Sequence, residues 1–207
     1  MIIEQPPYLF RALYPKAIWR MSPKEKAVYL TFDDGPIPEV TPWVLDLLDK
    51  YQIKACFFMV GDNVKKHPDV FRMVKERGHL VGNHTFNHIR GYEIQGIRYL
   101  KNIEDTTELI HSPYFRPPHG QLRRNQSLVL HRKYKVIMWD LVTRDYSNKL
   151  NGEQVFKKVK KYARNGSIIV FHDSLKAEKN MKYALPLSIE WLLSQGYTFK
   201  TFDQAKE

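Results

Sequence analysis

Cysteine is nearly absent from this chain. Cys56 is the single thiol in 207 residues, so no disulfide framework can hold the fold. It sits in the apolar run Ala55-Cys56-Phe57-Phe58-Met59-Val60, where a small buried hydrophobe suits packing. Long apolar runs are missing too. Nowhere do about 18 apolar residues follow one another, which excludes a spanning helix by hydropathy, and the N-terminus lacks a run of secretory type. The expectation is a protein of the cytoplasm or the cytoplasmic membrane surface, or an extracytoplasmic one if an export signal preceded residue 1. Internal repeats and low-complexity stretches are likewise lacking, which argues for one ordered globular domain.

Acidic residues are in short supply. Asp and Glu number 22 against 33 Lys and Arg, a formal charge of +11, which favours polyanions in general. The basic residues fall in short runs such as Lys157-Lys158 and Lys160-Lys161, about a helical turn apart. A solvated helix face accounts for them, and with no recognition motif beside them nucleic acid is not expected as a partner.

What is present is an alternation. From residue 27 onward, β-rich runs at 27–32, 54–60, 79–83, 114–116, 135–140, 167–171 and 197–202 alternate with segments of helical length. Thr41-Pro42 reads as N-cap and first helical residue, and Asn151 with Gln154 reads as a capping box. Gly78, Gly166 and Gly196 each stand between a helical pattern and a strand, as left-handed C-caps do. Runs such as Ile168-Ile169-Val170-Phe171 suit a parallel sheet buried on both faces. Asp33-Asp34, His84, Arg116, Asp140 and His172 each come at or just after the end of a different strand. In an open sheet they would spread along a crevice; in a closed barrel they converge, and a barrel is favoured. Residues 1–26 stand outside this alternation. They mix aromatics with Arg11, Lys16 and Arg20, and are expected to pack over the bottom of the barrel; peripheral contact with a membrane surface is the second reading.

Five segments carry chemistry. In Thr31-Phe32-Asp33-Asp34-Gly35-Pro36 two adjacent carboxylates meet a turn. Asp-Gly-Pro is ordinary turn chemistry by itself, but neighbouring acids can divide metal binding from proton transfer. In His84-Thr85-Phe86-Asn87-His88 two imidazoles four residues apart would share one side of a helical turn and, with Asp34, supply two nitrogens and one oxygen to a metal. Solvent-facing histidines are the plain alternative, and His67, His79, His111, His119, His131 and, on the residues alone, His172 are assigned to that class or to packing. Arg116-Pro117-Pro118-His119-Gly120 places a permanent cation at a strand end, able to keep a carboxylate ionised. Trp139-Asp140 and Asp145-Tyr146 bracket a loop, and Asp173 follows His172. A carboxylate next to a histidine raises its pKa toward that of a useful general acid.

Together and in this order, the segments resemble the polysaccharide deacetylase family, the carbohydrate esterases of family 4 that share the NodB homology domain. Its five motifs match Thr31 to Pro36, His84 to His88, Arg116 to Gly120, Asp140 to Tyr146, and Val170 to His172. The resemblance implies a distorted (β/α)7 TIM-like barrel over residues 27–207, of α/β class, preceded by the 1–26 extension. It implies a bacterial-type hydrolase that removes N-acetyl groups from N-acetylglucosamine-type units of peptidoglycan, chitin oligomers or a lipid-linked glycan, releasing acetate. It implies Asp33 as base, His172 as acid, Arg116 and Asp145 as their partners, and Asp34, His84 and His88 as ligands of one divalent metal: zinc, with cobalt, manganese or nickel as substitutes. The backbone N–H of His119 would stabilise the oxyanion, and Gly120, Tyr146 and Val170 would line the substrate pocket. Tyr146 stands where the family usually has tryptophan and Val170 where it usually has leucine, so the sugar platform and acyl pocket depart from the pattern. An O-acetyl esterase or cyclic amidase on the same fold, and a non-catalytic glycan-binding protein, are the competing readings. The sequence gives no oligomeric state.

Overall fold

The computed structural model describes residues 4–205. Seven parallel strands form one curled sheet: β1 Ala27–Asp33, β2 Cys56–Met59, β3 Leu80–Asn83, β4 Tyr114–Phe115, β5 Lys135–Val136, β6 Leu141–Val142 and β7 Ile168–His172. Their spatial order is β5-β4-β3-β2-β1-β7-β6, and a short β8, Thr198–Phe199, pairs in parallel with the first two residues of β1. The helices are α1 Tyr8–Arg11, α2 Thr41–Lys50, α3 Gly61–Lys66, α4 Pro68–Glu76, α5 Gly96–Ile110, α6 Arg124–Leu130, α7 Gly152–Tyr162 and α8 Glu178–Ser194. The architecture is the expected single-domain α/β barrel class, its seven-stranded parallel sheet curled as a half-barrel.

Side-chain period sorts each strand into an outer and an inner face. Val28, Leu30 and Phe32 of β1 point outward and pack with Phe57, Ile169 and Phe171 against α2, α7 and α8, whose inward stripes include Leu45 and Leu48, Val155 and Val159, and Leu185 and Ile189. The alternate residues face inward. At the bottom, Phe202 fills the interior against Tyr29, Phe58 and Tyr114. One layer up, the Arg116 guanidinium lies 4.1 Å over the Phe58 ring. At the top, Asp33 and His172 are register partners on β1 and β7, so strand pairing alone sets the two side by side.

Asn151 Oδ1 accepts from Gln154 N (2.9 Å) and Gln154 Oε1 accepts from Asn151 N (3.0 Å), a complete capping box. Gly78, Gly166 and Gly196 all have φ between 73° and 78°. The cap of α2 lies one residue earlier than predicted. Val40 is the N-cap and Thr41 is already helical, because the Thr41 hydroxyl is committed elsewhere, accepting from Ile37 N and donating to Asp173. The run 135–140 is not one strand. It breaks after Val136, and the chain re-enters the sheet only at Leu141, on the other side of the seam beside β7. Asp140 therefore stands before a strand rather than after one, its N–H donating to the carbonyl of Ile168 at the start of β7. That puts it at the end of the barrel opposite the site, contrary to the expectation for it.

The N-terminal segment occupies that seam and is not confined to the bottom of the barrel. Ile18 pairs in parallel with Ile137, Arg20 pairs antiparallel with Ser167, and Val142 N donates to Glu4 O. Asp140 anchors the segment. It accepts from Arg11 (2.6 Å), from Arg164 at both oxygens (2.9 and 2.6 Å) and from Ser167 Oγ (2.7 Å). Glu4 adds ion pairs to Arg144 (2.8 Å) and Lys158 (2.6 Å). No helix among the described residues is long and apolar enough to cross a membrane.

Candidate active site

A cleft of about 780 Å³ opens at the C-terminal ends of the strands, with Asp33, Asp34, His84, His88, His119 and His172 on its walls. Its loops hold an unusual concentration of left-handed residues that are not glycine: Asp34 (φ 85°), Thr85 (65°), His88 (54°), His119 (57°) and Arg144 (62°). Such conformations cost free energy and persist where surrounding bonds over-determine them. At Asp34 the bonds are visible. Asn63 Nδ2 donates to the Asp34 carbonyl (2.7 Å), and the next N–H, of Gly35, donates to Asp173 Oδ1 (3.1 Å). A β-carbon at Gly35 would collide with the Asp173 carboxylate. Burial pushes the Asp173 carboxyl up to about 8, and the nearby charge of Asp34 adds to the rise. Asp173 thus braces the Asp-Asp-Gly turn instead of pairing with His172.

His84 and His88 do not share a helical turn as their spacing suggests. The segment after β3 is a loop, and the left-handed turns at Thr85 and His88 fold it back so that the two ring centroids lie 5.1 Å apart. One candidate ligand atom each from Asp34, His84 and His88 falls within 4.8 Å of the others. The His88 Nε2 to Asp34 Oδ1 distance is 3.2 Å, and that from His84 Nε2 is 3.8 Å. Burial tends to raise the Asp34 carboxyl, but the hydrogen bond from His88 and the charges of His172 and His84 hold it below the usual carboxylate range.

The donor chemistry fits a divalent cation. His84 Nδ1 lies 2.7 Å from the carbonyl of Arg116, which can only accept, so Nδ1 carries the proton and Nε2 presents a lone pair toward Asp34. Burial lowers the His84 pKa to about 4, so the ring is neutral, as a ligand must be.

Asp33 and His172 complete the constellation, each oriented by a buried partner. Arg116 is fully buried. Its Nη1 donates to Asp33 Oδ1 (2.6 Å) and Thr31 Oγ1 (2.8 Å), Nε to Ile137 O (3.3 Å) and Nη2 to Met138 O (3.0 Å). The fork cannot rotate, and it keeps one oxygen of Asp33 occupied. Asp145 accepts from the His172 backbone N–H at Oδ2 (2.8 Å) and from His172 Nδ1 at Oδ1 (2.7 Å), leaving Nε2 for the cleft. Desolvation opposes charge on His172, yet the Asp145 carboxylate lifts its pKa to about 9. Tyr146 meets the His172 ring at 81° with centroids 4.7 Å apart, and Tyr146, Val170, His119 and Gly120 all border the cleft.

Two participants carry no motif signal. Asn180, on α8, donates to the carbonyls of Asp145, Ser147 and Leu150 (3.0 to 3.2 Å) and fixes the loop that presents Asp145. The other is the N-terminal segment, whose Phe10, Leu13 and Tyr14 reach the cleft wall. A loop contact between residues 35 positions apart, and a wall supplied from outside the alternation, are long-range facts that local pattern does not encode.

This is the active-site architecture of a hydrolytic enzyme, and the relatives agree. The profile described as polysaccharide deacetylase matches residues 20–135. A peptidoglycan-N-acetylglucosamine deacetylase of Bacillus cereus is 33% identical over 196 residues, covering 90% of this chain and 91% of the relative. The peptidoglycan-N-acetylmuramic acid deacetylase PdaC of Bacillus subtilis is 34% identical over 194 residues, which are 90% of this chain but 40% of PdaC. Among solved structures, the Bc1960 peptidoglycan N-acetylglucosamine deacetylase superposes with a TM-score of 0.89 at 26% identity, over 97% of this chain and 96% of that one. The chain belongs to the polysaccharide deacetylase family, and it is a deacetylase.

Proposed function

We propose that the chain is a metal-dependent hydrolase that removes the N-acetyl group from N-acetylglucosamine-type units of a glycan, with peptidoglycan as the first polymer to test. The observation that carries this reading is the meeting, in one cleft, of the Asp34, His84 and His88 donor set, an arginine-held carboxylate at Asp33 and a carboxylate-held imidazole at His172. Two imidazole nitrogens and one carboxylate oxygen suit zinc, with cobalt, manganese or nickel as substitutes. When bound, the cation supplies Lewis-acid polarisation of the amide carbonyl and lowers the pKa of a water.

The chain's own groups carry the protons. Asp33, oriented by the Arg116 fork, takes the proton of the water that attacks the acetyl carbon. The backbone N–H of His119 donates to the oxyanion that forms. His172, kept protonated by Asp145, gives its proton to the departing sugar nitrogen as the C–N bond breaks, leaving acetate and a free amine. The acetyl methyl group lies against Val170 and Tyr146. Relatives named for N-acetylglucosamine and for N-acetylmuramic acid match almost equally well, so identity alone does not choose between the two sugars.

Acetate release measured on N-acetylglucosamine oligomers, peptidoglycan fragments and O-acetylated sugars tests the proposal. Chelator-treated protein should be inactive, zinc or cobalt should restore activity, and the N-acetyl substrates should be preferred. Release from O-acetyl sugars alone, or release that survives metal removal, would refute it.

A further inference from the structure

The family's usual tryptophan platform is replaced by Tyr146, and the structure leaves that ring poorly placed to receive a sugar. Its edge-to-face contact with His172 is accompanied by the Lys176 ammonium, 5.9 Å over the ring. Exposed carbon surface lies elsewhere in the cleft. The N-terminal segment lies in the seam between β5 and β6, and the Tyr14 hydroxyl, 3.0 Å from that of Tyr92, joins it to the loop after β3. There Leu13 is 64% exposed and Tyr92 is 53% exposed, and both border the cleft. Exposed apolar side chains scattered over a surface need no explanation, but two that border a catalytic cleft do.

Both are held in place. The buried Tyr14 donates its hydroxyl proton to Leu122 O (2.7 Å) and accepts from Leu122 N (3.3 Å); the Tyr92 hydroxyl, 3.0 Å away, therefore donates to Tyr14. Arg123 Nη2 donates to the Tyr92 carbonyl (2.6 Å). On the other flank, Arg11 ties α1 to the buried Asp140. Gln121 and Arg90 border the same part of the cleft and offer polar groups beside the carbon surface. Carbon surface flanked by hydrogen-bonding groups matches a pyranose ring, whose C–H face is apolar and whose rim is hydroxylated.

We propose that Leu13 and Tyr92, braced by Tyr14, form a glycan subsite that receives the sugar unit next to the one being deacetylated. The N-terminal segment then acts as part of the substrate site as well as the seal of the barrel seam. The inference rests on the glycan-deacetylase reading above and assigns it a polymer-recognising wall.

The test is the dependence of acetate release on chain length, from the N-acetylglucosamine monomer to the pentamer, for wild type, Leu13→Ala, Tyr92→Ala and the double variant. Wild type should gain in kcat/KM with length. The double variant should lose about tenfold on the tetramer, through KM, because the buried carbon area is gone. Tyr92→Phe, which keeps the ring, should retain the length dependence. An unchanged length profile in the double variant, or a loss equal at every length, overturns the proposal. If wild type releases acetate from none of these oligomers, the substrate reading fails separately. The subsite is then judged by calorimetric titration with the tetramer: weaker binding by the double variant than by wild type supports it, and equal binding overturns it.

Discussion

Asp145 uses both carboxylate oxygens on His172, one on the ring and one on the backbone N–H, so it fixes at once where the imidazole sits and how strongly it holds its proton. A general acid works only while protonated, so the alkaline limb of the kcat profile should follow the His172 pKa. Replacing Asp145 with Asn removes the charge that lifts that pKa and leaves desolvation unopposed. The sign is therefore downward: the limb should move to lower pH by at least about one unit, with kcat falling roughly 100-fold at neutral pH. A pH–rate profile checks this, and an unmoved alkaline limb would remove His172 from the acid's role. At this scale the sequence was informative wherever chemistry is packed into short motifs. Asp33, Asp34, His84, His88 and His172 line the cleft, and Arg116 and Asp145 are buried behind Asp33 and His172, hydrogen-bonded to them. Asp140 does neither, since its place depends on where a strand breaks. Asp173 was read as the neighbour of His172, but in space it serves the turn at Gly35.

Among the elements, the N-terminal segment differs most from expectation. Its attachment runs through Asp140, whose carboxylate is fully buried between Arg11 and Arg164. Burial works to raise this carboxyl, but hydrogen bonds from Arg164, Arg11 and Ser167 outweigh it and lower the pKa. A folded-state pKa below the unfolded value means stability present above about pH 3.9 and lost as pH falls through the folded value. Asp140→Asn should keep the shape, lose the charge and leave Arg11 poorly compensated. Arg164 is half exposed, which lowers the expected cost to about 2 kcal/mol, or a fall in Tm of roughly 4–8 °C. Thermal unfolding at pH 7 and pH 3 checks this: the gap between variant and wild type should narrow at pH 3. The strands of the barrel were legible because β1, β2 and β7 are buried on both faces and read as continuous apolar runs. The two-residue strand β6 and the seam filled by residues 4–20 were not, because pairing there is set by long-range closure rather than by local pattern.

On the scale of the whole molecule, the chain carries a net charge of +11, while the cleft wall carries the carboxylates of Asp33 and Asp34. Long-range attraction should then act on the polymer rather than on the acetyl group. For an anionic glycan such as a peptide-bearing peptidoglycan fragment, kcat/KM should fall as salt rises from 0.01 to about 0.3 M, while neutral N-acetylglucosamine oligomers should show little change. Equal salt dependence for both would mean that the charge plays no part in substrate capture. The curled sheet joins these scales, because it brings the ends of strands distant in sequence to one mouth, so that motifs spread from Thr31 to His172 border one cleft.

The proposed chemistry turns on a division of labour between two adjacent carboxylates, Asp33 held by Arg116 and Asp34 facing two histidines. Metal content and acetate release measured side by side on Asp33→Asn test it directly. The expected result is one metal per chain, as in wild type, with kcat reduced at least about 1,000-fold for loss of the base. A variant that keeps its rate, or that loses its metal along with its activity, would contradict the assignment.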